Sequence, residues 1–76
     1  MGKILGLIGG GQLGMRIAEA AKKMPDEISE IIVLDPTENC PAVQVGATQI
    51  IADFKDREAI IDLATKCDII TYEIES

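Results

Sequence analysis

Residues 4–23 read ILGLIGGGQLGMRIAEAAKK, and the fold turns on how this stretch divides. Residues 3–8 are short, continuous and apolar, the pattern of a strand buried on both faces. Three consecutive glycines, Gly9, Gly10 and Gly11, break that strand. From Gln12 to about Met24 the period changes: Leu13, Ile17, Ala20, Ala21 and Met24 recur at spacings of three and four, while Arg16, Glu19, Lys22 and Lys23 fall elsewhere. This is an amphipathic helix, and Pro25 and Asp26 end it.

Outward from this unit the alternation continues. Residues 31–34 form a second buried strand that ends at Asp35, and residues 36–39 form a turn. Pro41 fits the first position of a short helix that runs to about Val45 and stops at Gly46. Residues 49–52 are a third strand. Asp56 can cap a helix over residues 57–66, with Ile60, Ile61, Leu63 and Ala64 on its buried face. Residues 68–72 are a fourth strand. Strands alternating with helices imply a parallel sheet with crossover connections. The expected fold is therefore α/β: a Rossmann-like half of a doubly wound sheet, four parallel strands in the order 3-2-1-4. All 76 residues belong to one domain. A domain rarely stops at the carboxyl edge of a central strand, where doubly wound folds bind ligands, so the chain is expected to be a piece of a longer protein.

Composition narrows the functional classes. The net charge of -6 argues against sequence-independent nucleic-acid binding, which needs a basic surface. No apolar run approaches the roughly 20 residues that span a bilayer, and no cationic amphipathic face suits a membrane surface. The N-terminus reads as the first strand and not as a signal peptide. With no His and two widely spaced cysteines, Cys40 and Cys67, a zinc site or a His general base is not expected. The cysteines read as unpaired cytosolic thiols.

Two constellations could carry chemistry. Gly9-x-Gly11-x-x-Gly14 follows a strand and opens a helix. The first glycine permits a tight turn, the second lets a ligand approach the backbone, and the third lets helix and strand pack closely. The helix N-terminus then offers N–H groups to an anion. A turn made only for packing would use the same residues. Asp35 stands where a dinucleotide-binding protein keeps its ribose-binding carboxylate, or it caps the turn before Pro36. Gln12 is either a ligand contact or a solvated first-turn residue. Taken alone, these features point to NAD. The second constellation is Tyr72-Glu73-Ile74-Glu75, in which strand alternation puts Glu73 and Glu75 on one side. Two carboxylates beside the glycine loop would repel a pyrophosphate. They suit a ligand with a phosphate at one end and hydroxyls or an amine at the other, unless they are simply an exposed acidic segment.

Four segments in order, GGGQLGMRIAEAAKK, IIVLDPTENCPAVQV, QIIADFKDREAI and CDIITYEIES, resemble the start of the carboxyaminoimidazole ribonucleotide synthases, ATP-grasp enzymes of purine synthesis. LDPTxNCPAxQV and TYEIE carry this resemblance more specifically than the glycines do. One departure is MPDEISE, where the family has a shorter turn ending in glycine, and it bears on where the first helix ends. The resemblance implies an enzyme that uses ATP and bicarbonate to carboxylate the amine of aminoimidazole ribonucleotide, through carboxyphosphate. It places ATP and magnesium in later domains, outside this chain, and makes the remaining ATP-grasp domains its partners. It implies a cytoplasmic protein and a homo-oligomer at full length, with the 76 residues inactive alone. Together with the related glycinamide ribonucleotide transformylase, which has a similar loop and a PEIE segment, it assigns substrate binding to Gly11, Gln12, Leu13, Asp35 and Glu73. The competing readings are an NAD-binding module and a non-catalytic regulatory or assembly domain.

Overall fold

The structure is a computed structural model that describes residues 2–72. Its elements are β1 (Lys3–Ile8), α1 (Gln12–Lys22), β2 (Ile28–Asp35), α2 (Pro41–Gln44), β3 (Thr48–Ile51), α3 (Arg57–Lys66) and β4 (Ile69–Tyr72). The strands form one parallel sheet in the order β3-β2-β1-β4, as the alternation of elements predicts.

Strand alternation sorts the apolar residues into two cores. Leu5, Leu7, Ile31 and Val33 meet Ala18 and Ala21 of α1, Cys40, and Ala42 of α2 on one face. Ile8, Ile32 and Leu34 meet Leu63 of α3 on the other. Leu7, Leu34 and Leu63 are fully buried, each worth about 1.5–3 kcal/mol of transfer free energy. Cys40 and Cys67 lie on opposite sides of the sheet, in different cores, and both are free thiols. Asp56 caps α3 as expected, its side chain accepting a hydrogen bond from Ala59 N at 3.1 Å.

The helix faces differ from the periodicity in detail. The buried stripe of α1 is Gly14, Ala18 and Ala21, with Ile17 partly buried; Leu13, Ala20 and Met24 are exposed. Small residues let α1 sit close to the sheet, so the stripe follows backbone proximity and not side-chain size. On α3, Leu63 is buried with Ala59 and Ile60 beside it, whereas Ile61 is 62% exposed and Ala64 is exposed. Ile61 lies one residue round the helix from Ile60, about 100° away, too far to share a single contact stripe.

Strand limits also move. β2 begins at Ile28, three residues before the apolar run, because the ladder to β1 (Lys3↔Ile28, Ile4↔Glu30) continues past the buried segment through the exposed Ser29 and Glu30. Backbone pairing needs no apolar side chain, so hydropathy does not register it. β3 starts one residue early and β4 one residue late. α1 stops at Lys22, and the N–H groups of Lys23 and Met24 reach back to the carbonyls of Ala20 and Ala21, at 3.2 and 3.0 Å, so the longer MPDEISE connection follows a helix that ends before Met24. Among the described residues no helix is long and apolar enough to cross a membrane.

Candidate functional site

The carboxyl edge of β1 and β2 brings the glycine loop and Asp35 together. Gly9 turns the chain out of the sheet with φ 107, a backbone conformation that side-chain-bearing residues rarely adopt. Its N–H donates to Leu34 O at 2.9 Å, which ties the turn to β2. Gly10 is packed against β2 and the start of α2: a Cβ there would lie 2.5 Å from Cys40 Sγ and 2.8 Å from Val33 Cγ2. A Cβ on Gly14 would collide with the carbonyl oxygen of Gly9, so α1 rests directly on the turn.

Gly11 is different. A Cβ built there meets no atom of the described residues within 4 Å. Its φ of -73 and ψ of -156 are extended and open to any residue. No packing requirement within the described residues makes this position glycine. Gly11 is the N-cap of α1, and among the described residues no side chain caps that helix end. The first helical bond is Met15 N to Gly11 O at 2.8 Å, and the N–H groups of Gln12, Leu13 and Gly14 donate to no other described residue. A helix N-terminus with uncapped donors and a clear approach attracts an anion. Gln12 and Leu13 flank it on the surface, with Leu13 42% exposed.

Asp35 is buried to 8% exposure, and its carboxylate is engaged on both oxygens. Oδ2 accepts from Gly10 N and Oδ1 from Thr37 N, each at 2.8 Å. Gly10 O in turn accepts from Ala42 N at 3.0 Å. The turn-capping role is thus realised, and Asp35 also holds the glycine loop. The structure therefore unites Gly11, Gln12, Leu13 and Asp35 at one edge, while Glu73 and Glu75 lie outside the described residues.

Gln49, not singled out by the sequence pattern, reaches the same edge from β3. Its Nε2 donates to Asp35 O at 3.0 Å and Thr37 O at 2.7 Å, and its Oε1 accepts from Asn39 N at 3.1 Å. A polar amide inside the apolar run QII was the available signal. Across the sheet, the Cys67 thiol is pushed above its ordinary pKa, first by burial and then by the carboxylates of Asp68 and Glu30, with Lys66 opposing. It faces away from this edge's glycine loop, beside Gly6, where a Cβ would stand 2.7 Å from its Sγ. Among the described residues no group of His, Cys, Asp and Glu could hold a metal ion, and the glycine loop carries no lysine to meet a nucleotide's phosphates.

A four-stranded parallel sheet of this order, with a glycine turn and an uncapped helix at the carboxyl edge of its first strand, defines the Rossmann-like α/β class. Within that class the chain belongs to the ribonucleotide synthetase preATP-grasp domain family, whose model matches residues 1–76. It is 45% identical over 75 residues to an N5-carboxyaminoimidazole ribonucleotide synthase of Staphylococcus aureus, covering 99% of this chain and 19% of that protein. It is 47% identical over the same length to the synthase of Bacillus subtilis. The crystal structure of the Thermotoga maritima synthetase superposes with a TM-score of 0.87 at 49% identity, over 95% of this chain and 19% of that one. The Aspergillus clavatus synthase, solved in complex with ADP and 5-aminoimidazole ribonucleotide, superposes with a TM-score of 0.82 at 38% identity, over 99% of this chain and 20% of that one. The chain thus spans about one fifth of the length of these relatives.

Proposed function

We propose that this chain is the substrate-side N-terminal domain of an ATP-dependent carboxylating ligase of purine synthesis. The complete enzyme converts aminoimidazole ribonucleotide, ATP and bicarbonate to the N-carboxy ribonucleotide, ADP and phosphate. The observation that carries this reading is Gly11: an approach to the α1 N-terminus that is open and uncapped among the described residues, at the edge of the sheet where doubly wound folds bind ligands. The ribonucleotide bound by the Aspergillus clavatus relative has one phosphate to place there.

In this reading the N–H groups at the start of α1 and the Gln12 amide hold the phosphate, and Leu13 lines the approach. Glu73 follows β4, the strand next to β1, and accepts hydrogen bonds from the hydroxyl or amine end of the ligand. Asp35 contributes by fixing Gly10, and with it the position of Gly11. ATP supplies the phosphoryl group that activates bicarbonate. In this reading ATP and magnesium are bound by the ATP-grasp domains beyond this chain. Those domains are its partners, in a cytoplasmic homo-oligomer. An NAD-binding module would use the Asp35 carboxylate for ribose hydroxyls, but both of its oxygens already accept backbone N–H groups.

The test is steady-state kinetics on the complete gene product, following ADP release with bicarbonate present. Release that depends on aminoimidazole ribonucleotide is expected. Glu73→Gln and Gln12→Ala should each raise the KM for the ribonucleotide about 10- to 150-fold, the equivalent of a charge-assisted hydrogen bond of about 1.5–3 kcal/mol. The KM for ATP should stay unchanged. Unaltered ribonucleotide kinetics in both variants would refute the assignment.

A further inference from the structure

We infer that Gln49 is a positioning residue for the ribonucleotide site, an inference that rests on the function proposed above. Gln49 lies on β3, two strands away from β1, and is half-buried. Its amide uses three bonds, all directed at residues 35–39, which leave the carboxyl end of β2. The partners dictate its orientation: two carbonyl oxygens need the NH2 group, and one N–H needs the oxygen.

The consequence runs through Asp35. Its carbonyl is gripped by Gln49 Nε2, while its carboxylate grips Gly10 N and Thr37 N. Gly10 is packed without slack against Cys40 and Val33, and its carbonyl is bonded to Ala42 N. The glycine loop and the 35–39 segment therefore move as one hydrogen-bonded unit. Gln49 anchors that unit to the sheet edge. The segment is otherwise exposed over residues 36–39, and Asn39 sits at φ 56, a conformation that asparagine tolerates but does not prefer. Without the amide Asn39 N–H and Thr37 O lose their partner and Asp35 O keeps only the long bond from Ala52 N at 3.4 Å, and water competes at each of them. Gly11 would then be presented by a looser loop. Binding geometry at a preorganised site is sensitive to shifts of this kind.

The prediction is specific in kinetic terms. Gln49→Met keeps the length and removes all three bonds, and Gln49→Glu keeps the acceptor and loses both donors. In the complete gene product each should raise the KM for aminoimidazole ribonucleotide on the order of tenfold. The KM for ATP and kcat at saturating ribonucleotide should be unchanged. Ile51→Thr, on the same strand and 57% exposed, changes β3 beside Asp35, its ladder partner, but its side chain makes none of the hydrogen bonds to residues 35–39, and it should leave the ribonucleotide KM at the wild-type value. Ribonucleotide KM unchanged in both Gln49 variants, or raised equally by Ile51→Thr, overturns the inference while the proposed function stands. A wild-type protein inert towards aminoimidazole ribonucleotide overturns both.

Discussion

Replacing Gly11 by Asp should make the fold more stable and the site useless, opposite effects from one substitution. The new Cβ enters space free of any atom of the described residues within 4 Å, on a backbone of φ -73 and ψ -156 that Asp adopts readily. At the N-cap its carboxylate can accept from the N–H of Leu13 or Gly14, which no described residue uses. Asp in place of Gly at a cap contributes a few tenths of a kcal/mol, and a negative charge at the positive end of the helix adds about 0.3–1 kcal/mol. The sum is about 1 kcal/mol, reduced somewhat by the nearby Asp35. In a complete gene product of the relatives' length, about five times this chain, that raises Tm by about 1–2 °C. The same carboxylate occupies the donors proposed for the phosphate and repels it. Two unit charges at about 4 Å in an effective dielectric of about 20 repel by about 4 kcal/mol, and exposure to solvent reduces this to about half. With the loss of a charge-assisted bond of about 1.5–3 kcal/mol, ribonucleotide affinity should fall by roughly 400- to 5,000-fold. Thermal melts and ribonucleotide KM, measured on the same preparation of the complete gene product, give both signs. A raised Tm with an unchanged KM would refute the anion site; a Tm below that of the wild type would refute the open geometry at Gly11.

Gly14→Ala should do the reverse of Gly11→Asp on stability: helix propensity favours Ala by about 1 kcal/mol, but the methyl meets the Gly9 carbonyl, a backbone atom that cannot step aside, and overpacking costs about 1–3 kcal/mol. A Tm equal to or above wild type would show that the helix can lift off the turn without cost. Cys67 should react with iodoacetamide at pH 8 more slowly than free cysteine, since burial and the Asp68 and Glu30 carboxylates hold its proton. Because the folded pKa is raised, the folded state binds this proton more tightly, so its contribution to stability is complete below the ordinary thiol value of about 8.5 and is lost as pH rises through the folded value. Melts from pH 8 to 10 should therefore decline less steeply for Cys67→Ala than for wild type, and parallel curves would count against the shift.

The sequence by itself determined the order of elements, the parallel sheet and its strand order, and the family. Each rests on local information. The switch from the apolar run of β1 to the three- and four-residue spacing of α1, the glycines between them, and the Asp56 cap all act within a few residues. Crossover rules then leave little choice of topology. Tertiary structure alone decided which residues face the cores and what each glycine does. Gly9, Gly10, Gly11 and Gly14 look alike in sequence, yet positive φ accounts for the first and steric contact for the second and fourth, while Gly11 stands open. Asp35 could cap a turn or hold a ribose until its two oxygens were seen on Gly10 and Thr37. Gln49 passed unnoticed because its partners lie 10 to 14 residues earlier in the chain. Hydropathy and spacing record how a residue relates to its near neighbours in the chain. Hydrogen bonds and close contacts between loops depend on where the crossovers bring distant segments together, and that is set only when the sheet assembles.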